Sequence, residues 1–117
     1  MNVPTLIEKI QTALSPDLLK PEYRGSDIPL YGHCYVASEA LYHVIGGGDS
    51  EYTPARARDA EGVVHWWLES DGGQILDPTA IQYESRGIEP PYEQGRRAGF
   101  LTKEPSRRAR VVLDRVL

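Results

Sequence analysis

The 117-residue sequence predicts an α+β domain, and three observations carry that prediction. Apolar residues recur at helical spacing at both ends of the chain, as Leu6, Ile7, Ile10, Ala13 and Leu14 and again as Ala109, Val112, Leu113, Val116 and Leu117. The middle holds a β-branched and aromatic run, Val63 to Glu69, followed by the turn signal Ser70-Asp71-Gly72-Gly73 and a short return. Between these lies Tyr31-Gly32-His33-Cys34-Tyr35-Val36-Ala37-Ser38-Glu39-Ala40-Leu41, a glycine turn running straight into a helix. The expected architecture is a central cysteine-headed helix on a small antiparallel sheet, flanked by N- and C-terminal helices. The length suits one domain over 1–117 with a single core, and its most informative motifs fall within 31–80.

The first helix takes Pro4 near its opening turn and is ended by Pro16. Pro16 to Pro29, with Pro21 and Gly25 inside, reads as an ordered loop with one short turn of helix. In the second helix Cys34, Ala37, Leu41 and Ile45 share a face, with Ala40 and Val44 beside it. Leu41 and Ile45 therefore pack beneath the cysteine, and Ala37 admits a strand at close range. Gly46-Gly47-Gly48 stops this helix, and His43, nine residues after Cys34, falls on the opposite side. A strand is predicted around Tyr52 to Arg58, then Val63 to Glu69, then Gln74 to Asp77, which Pro78 keeps extended. Beyond Thr79 the chain reads as irregular until Ser106, a good N-cap for the last helix.

Strand parity constrains the hairpin. Opposed residues of an antiparallel pair share a face. A two-residue loop, Asp71-Gly72, sets Asp77 opposite Trp66 and turns it away from His65. The loop Asp71-Gly72-Gly73 sets it opposite Trp67, diagonal to His65, and Ser70-Asp71-Gly72 sets it opposite His65 itself. The two side chains meet only if the loop is odd or bulged.

Composition excludes several function classes. Hydrophobic (40%) and charged (26%) fractions are those of an ordinary soluble protein, and no apolar run approaches membrane-spanning length. One cysteine makes no intramolecular disulfide, and the first ten residues lack the order of a signal peptide, so a cytoplasmic location is expected. The charge is split. Residues 1–95 carry 6 basic and 15 acidic side chains, and residues 96–117 carry 7 and 2. The basic tail is expected to dock on the acidic body. Nucleic-acid binding through Arg96, Arg97, Arg107, Arg108 and Arg110 is the weaker reading.

Taken singly, Cys34 reads as a small buried hydrophobe, His65 as a satisfied core histidine and Asp77 as a turn residue. Together they supply nucleophile, base and orienting carboxylate, the three parts of a thiol acyl-transfer site. A thiolate at a helix N-terminus faces unpaired amides and the positive end of the helix dipole. No CxxC, HxxxH or HExxH spacing is present, so no metal is expected, and no Gly-Lys-Ser/Thr phosphate loop occurs. No cofactor is expected.

The ordered motifs Gly32-His33-Cys34 with Ala37, His65-Trp66-Trp67 and Asp77-Pro78-Thr79 resemble those of the transglutaminase-like family, within the broader papain-like cysteine enzymes. The resemblance covers about residues 31–80 and leaves the flanking helices unexplained. It implies Cys34 as nucleophile, His65 as general base and acid, and Asp77 as the residue orienting His65. The chain departs from the family in its small size and in Trp66, where the family often has a small residue. No glutamine lies close before Cys34 to serve the oxyanion. The Cys34 amide and Gln82 are the candidates, Gln11 being far off in the sequence. Gly32, His33, Trp66, Gln82 and Tyr83 are the expected substrate-binding residues. The implied activity is cysteine-dependent acyl chemistry on the amide of a protein or peptide, with hydrolysis favoured over transfer. The alternative is a non-catalytic adaptor or inhibitor on the same fold.

Overall fold

The computed structural model describes residues 2–117 and shows a small α+β fold of four helices and a four-stranded antiparallel sheet. Helix α1 spans Val3–Ala13. Asn2 caps it by accepting from the Thr5 amide at 2.9 Å, and its buried face is Leu6, Ile10 and Ala13. Two 3-10 turns follow, Pro16–Leu18 and Pro21–Tyr23, where the sequence suggests one. The Arg24 guanidinium donates to the carbonyls of Pro16 and Leu19 and fixes them to each other.

Helix α2 spans Cys34–Val44. Ala37, Ala40 and Leu41 are wholly buried, whereas Ile45 is half-buried and lies just past the helix as its C-cap. Strand β1 is Tyr52–Arg58, β2 is Val64–Ser70 and β3 is only Ile75–Leu76. The segment after Thr79, which reads as irregular in sequence, folds a short helix α3, Ile81–Glu84, a 3-10 turn, Tyr92–Gln94, and a fourth strand β4, Arg96–Arg97. Sheet order is β3-β2-β1-β4, every pair antiparallel. Helix α4, Arg107–Val116, is capped by Ser106 Oγ, which accepts from the Ala109 amide.

The two faces of the sheet bury different clusters. Leu68 packs with α1, α2 and α4 through Leu6, Ile10, Leu41, Val112 and Val116. Ala55, Ala57 and Trp67 form the second cluster with Ile75 and Tyr92 against it. The basic tail docks chiefly through Ala109, Val112 and Val116, while Leu117 stays exposed. Two of its arginines reach acidic partners, Arg97 to Asp71 at 2.8 Å and Arg115 to Asp17 at 3.6 Å. No helix is long and apolar enough to cross a membrane.

Candidate active site

Cys34 is the first residue of α2, delivered by a strained turn. Leu30 (φ 57°) and Gly32 (φ 83°) both take left-handed backbone, and His33 N–H closes the turn on Leu30 C=O at 3.1 Å. Glycine at 32 is required twice over, since a Cβ there would stand 2.7 Å from Tyr23 Cβ. His33, the N-cap residue, makes no side-chain capping bond, and among the described residues the amides of Cys34, Tyr35 and Val36 at the start of α2 have no hydrogen-bond acceptor.

Helix α2 reaches the strand edge that β3 leaves open. β3 pairs with β2 only at Leu68 and Glu69. Further back along that strand, Cys34 Sγ lies 3.7 Å from Val64 O, and Ser38 Oγ donates to Trp66 O at 3.2 Å. Four residues of helix advance about 6.0 Å and two of strand about 6.8 Å, so side chains at i and i+4 meet alternate carbonyls. The helix stands in for a missing strand, and this sets the thiol beside His65.

The hairpin has the odd loop. Leu68 pairs with Leu76 and Glu69 with Ile75, and Ser70 N–H donates to Gln74 O at 2.9 Å, which leaves Asp71-Gly72-Gly73 as the turn with Gly73 at φ 86°. Asp77 therefore follows opposite Trp67 and diagonal to His65. His65 Nε2 and Asp77 Oδ2 are 2.6 Å apart, with both side chains almost wholly buried. The carboxylate is held by three further contacts. Tyr92 O–H donates to Oδ2 at 2.7 Å, while the Thr79 amide at 3.1 Å and the Thr79 hydroxyl at 3.5 Å donate to Oδ1. Gln11 Nε2 donates to Pro78 O at 3.0 Å, tying α1 to the same turn.

The imidazole is also fixed by rings. Trp67 stacks on it at 5.8 Å, and Tyr83 meets it edge-on at 4.8 Å, itself pinned by its O–H donating to Asp59 Oδ2 at 2.8 Å. His65 Nδ1 is buried with no hydrogen-bond partner among the described residues. Burial alone pulls the His65 pKa down, but the hydrogen bond and charge of Asp77, with the adjacent Cys34 sulfur, outweigh it and raise the pKa to about 9. Burial first, and then the neighbouring carboxylates Asp59 and Asp77, push Tyr83 and Tyr92 well above the ordinary phenol value.

A cleft of about 490 Å³ opens in front of Cys34. Of the expected substrate-binding residues, Gly32, Trp66 and Gln82 line it. Gln82 Nε2 donates one hydrogen to Thr79 O at 3.3 Å. His33 and Tyr83 are placed elsewhere. His33 is buried away from the cleft, its pKa pulled down by burial against the opposing charge of Asp17. Tyr83 lines a separate cavity with Ile88, Pro90 and Tyr92, behind the imidazole. Sequence reasoning missed the carboxylate-binding role of Tyr92 and the cleft walls supplied by Lys20, Tyr23, Arg107 and Arg108, since each reaches the site across a loop or from another helix. Among the described residues no cluster of three or more His, Cys, Asp or Glu side chains is arranged to hold a metal.

Compared with protein-family models, curated proteins and solved structures, the chain matches none.

Proposed function

We propose that this protein carries out cysteine-dependent acyl chemistry on an amide, as a minimal transglutaminase-like or papain-like enzyme. The observation that supports this most directly is the buried His65–Asp77 pair at 2.6 Å, its histidine proton held to about pH 9, next to a thiol at a helix N-terminus. An imidazolium beside a sulfur favours the thiolate. Cys34 Sγ attacks the carbonyl carbon, forming the S–C bond and a tetrahedral oxyanion. The free Cys34 amide faces that oxygen as a hydrogen-bond donor. His65 then gives its proton to the leaving nitrogen as the C–N bond breaks, which leaves a thioester and a neutral imidazole. Water, deprotonated by His65, attacks the thioester, the C–S bond breaks and the thiol returns. A cleft of this size suits one extended substrate, a protein or peptide, and hydrolysis over transfer.

The near-complete burial of Cys34, 8% exposed, favours one other reading, a non-catalytic adaptor that retains the fold. Alkylation by iodoacetamide separates the two. At about pH 6 an ordinary thiol, with a pKa of about 8.5, is almost wholly protonated. The enzyme reading expects the native protein to react readily there and His65→Ala to react at least about tenfold more slowly. A thiol inert until unfolding, or one indifferent to His65, would support the adaptor instead.

A further inference from the structure

The cleft in front of Cys34 has a charge opposite to that of the molecule. The protein carries a net charge of −4, yet three cations, Lys20, Arg107 and Arg108, line the cleft and no acidic side chain does. These three form no ion pair among the described residues, while Arg86, Arg97 and Arg115 all do. Two helix N-termini open on the same space, α2 at Cys34 and α4 at Ser106 and Arg107. Of the buried carboxylates, Asp77 is committed to His65, and Glu39 is turned into the seam between those helices, where it accepts from Ser106 N at 2.8 Å and Ser106 Oγ at 2.7 Å. The remaining walls are largely apolar, with Tyr23, Tyr35, Val36, Val64 and Trp66 among them. Low-dielectric walls focus the field of the cations at the mouth.

We propose that this cleft selects substrates bearing an anionic group, a carboxylate or a phosphate, which Arg107, Arg108 and Lys20 hold while the adjacent carbonyl meets Cys34. The covalent half of this statement rests on Cys34 being the nucleophile; the anion site does not. Guanidinium forks match the paired oxygens of either anion. A neutral substrate of the same shape leaves three cations without a partner at the mouth and gains none of this binding.

The test compares iodoacetate with iodoacetamide, which differ by a carboxylate. In both reactions the Cys34 S–C bond forms, the C–I bond breaks and iodide leaves. The ratio of the two rates cancels the intrinsic reactivity of the thiol. In the native protein the iodoacetate-to-iodoacetamide ratio is expected to exceed that of the urea-unfolded chain by at least about threefold. It should fall toward the unfolded value in Arg107→Gln/Arg108→Gln and in about 1 M salt, where screening acts within about 3 Å. A native ratio at or below the unfolded one overturns the proposal. Should the native thiol resist both reagents, the enzymatic reading fails, and amide NMR titration with inorganic phosphate and with acetate decides the anion site by itself. Saturable shifts at Cys34 and Arg108, lost in the double variant, support it, and the anion that saturates lower identifies the group selected. Absence of saturable shifts with either anion overturns it.

Discussion

At the scale of single residues, His65 is defined by what it cannot reach. It is 1% exposed, one ring nitrogen is committed to Asp77, and the other makes no hydrogen bond within bonding distance among the described residues, although the Cys34 sulfur lies close enough to help raise its pKa. Its proton is nevertheless held to about pH 9, against an ordinary 6.5. The folded protein therefore keeps a proton that the unfolded chain releases. The associated stability is complete below about pH 6.5 and is lost as pH rises through about 9. Urea midpoints measured between about pH 6 and about pH 10 should fall more steeply in the native protein than in His65→Gln. Parallel profiles would falsify the linkage. Tyr92 is the second residue to test. Its hydroxyl shares Asp77 Oδ2 with the imidazole, so Tyr92→Phe removes a hydrogen bond to a buried carboxylate while keeping the ring that packs on Trp67 at 5.1 Å. A loss of about 1–2 kcal/mol is expected in the urea-derived stability. A neutral substitution would mean that Thr79 and His65 suffice to hold the carboxylate.

At the scale of elements, two turns control where the reactive side chains point. Gly32 and Gly73 both have positive φ, but only Gly32 is crowded, with Tyr23 Cβ and Cγ at 2.7 and 2.8 Å from an added Cβ. Nothing stands within 4 Å of one at Gly73. Gly73→Ala should thus cost only the backbone term, about 1 kcal/mol. Gly32→Ala adds a clash with a ring at the cleft wall, and about 2–4 kcal/mol is expected. Equal losses in thermal denaturation would show that backbone strain alone sets both. The same two turns show how far the sequence could be read. Cys34, His65 and Asp77 stand out because rare residue types sit at turn and strand positions, and strand parity ties any His65–Asp77 contact to an odd or bulged hairpin loop. The start of α2 at Cys34, the Ser106 cap of α4 and a strand at Tyr52 to Arg58 are also legible in the sequence, whereas the Asn2 cap of α1 is not. By contrast α3 and β4 hold four and two residues, too few to show a period, and both exist only through tertiary pairing. Ser38 was legible as a helix residue but not as the donor to Trp66 O, because that contact depends on β3 stopping short. Arg107 and Arg108 read as a solvated helix face for a similar reason, since only the docking of α4 brings them to the wall of the cleft, while Lys20 reaches it from the loop after α1.

At the scale of the whole molecule, the wall of the cleft depends on a joint far along the chain. Glu39 on α2 is wholly buried and accepts two hydrogen bonds from Ser106, 67 residues away, at the head of α4. The same Ser106 oxygen caps α4, so one carboxylate sets the position of a helix whose first residues, Arg107 and Arg108, line the cleft. An apolar pair in this place would hold α4 to α2 without fixing its rotation, whereas two directed bonds fix where its arginines fall. Glu39→Ala strands the Ser106 amide and is expected to cost about 2–3 kcal/mol. Glu39→Gln keeps one acceptor for Ser106 and should cost less. Hydrogen exchange in Glu39→Ala should accelerate at Ala109 to Val112 more than in β2, because the hydrophobic contacts of Val112 and Val116 remain and only the anchored end is released. If exchange accelerates equally in α4 and β2, Glu39 supports the core as a whole rather than aiming α4. If it is confined to the start of α4, the buried carboxylate is the part that orients this wall of the cleft toward Cys34.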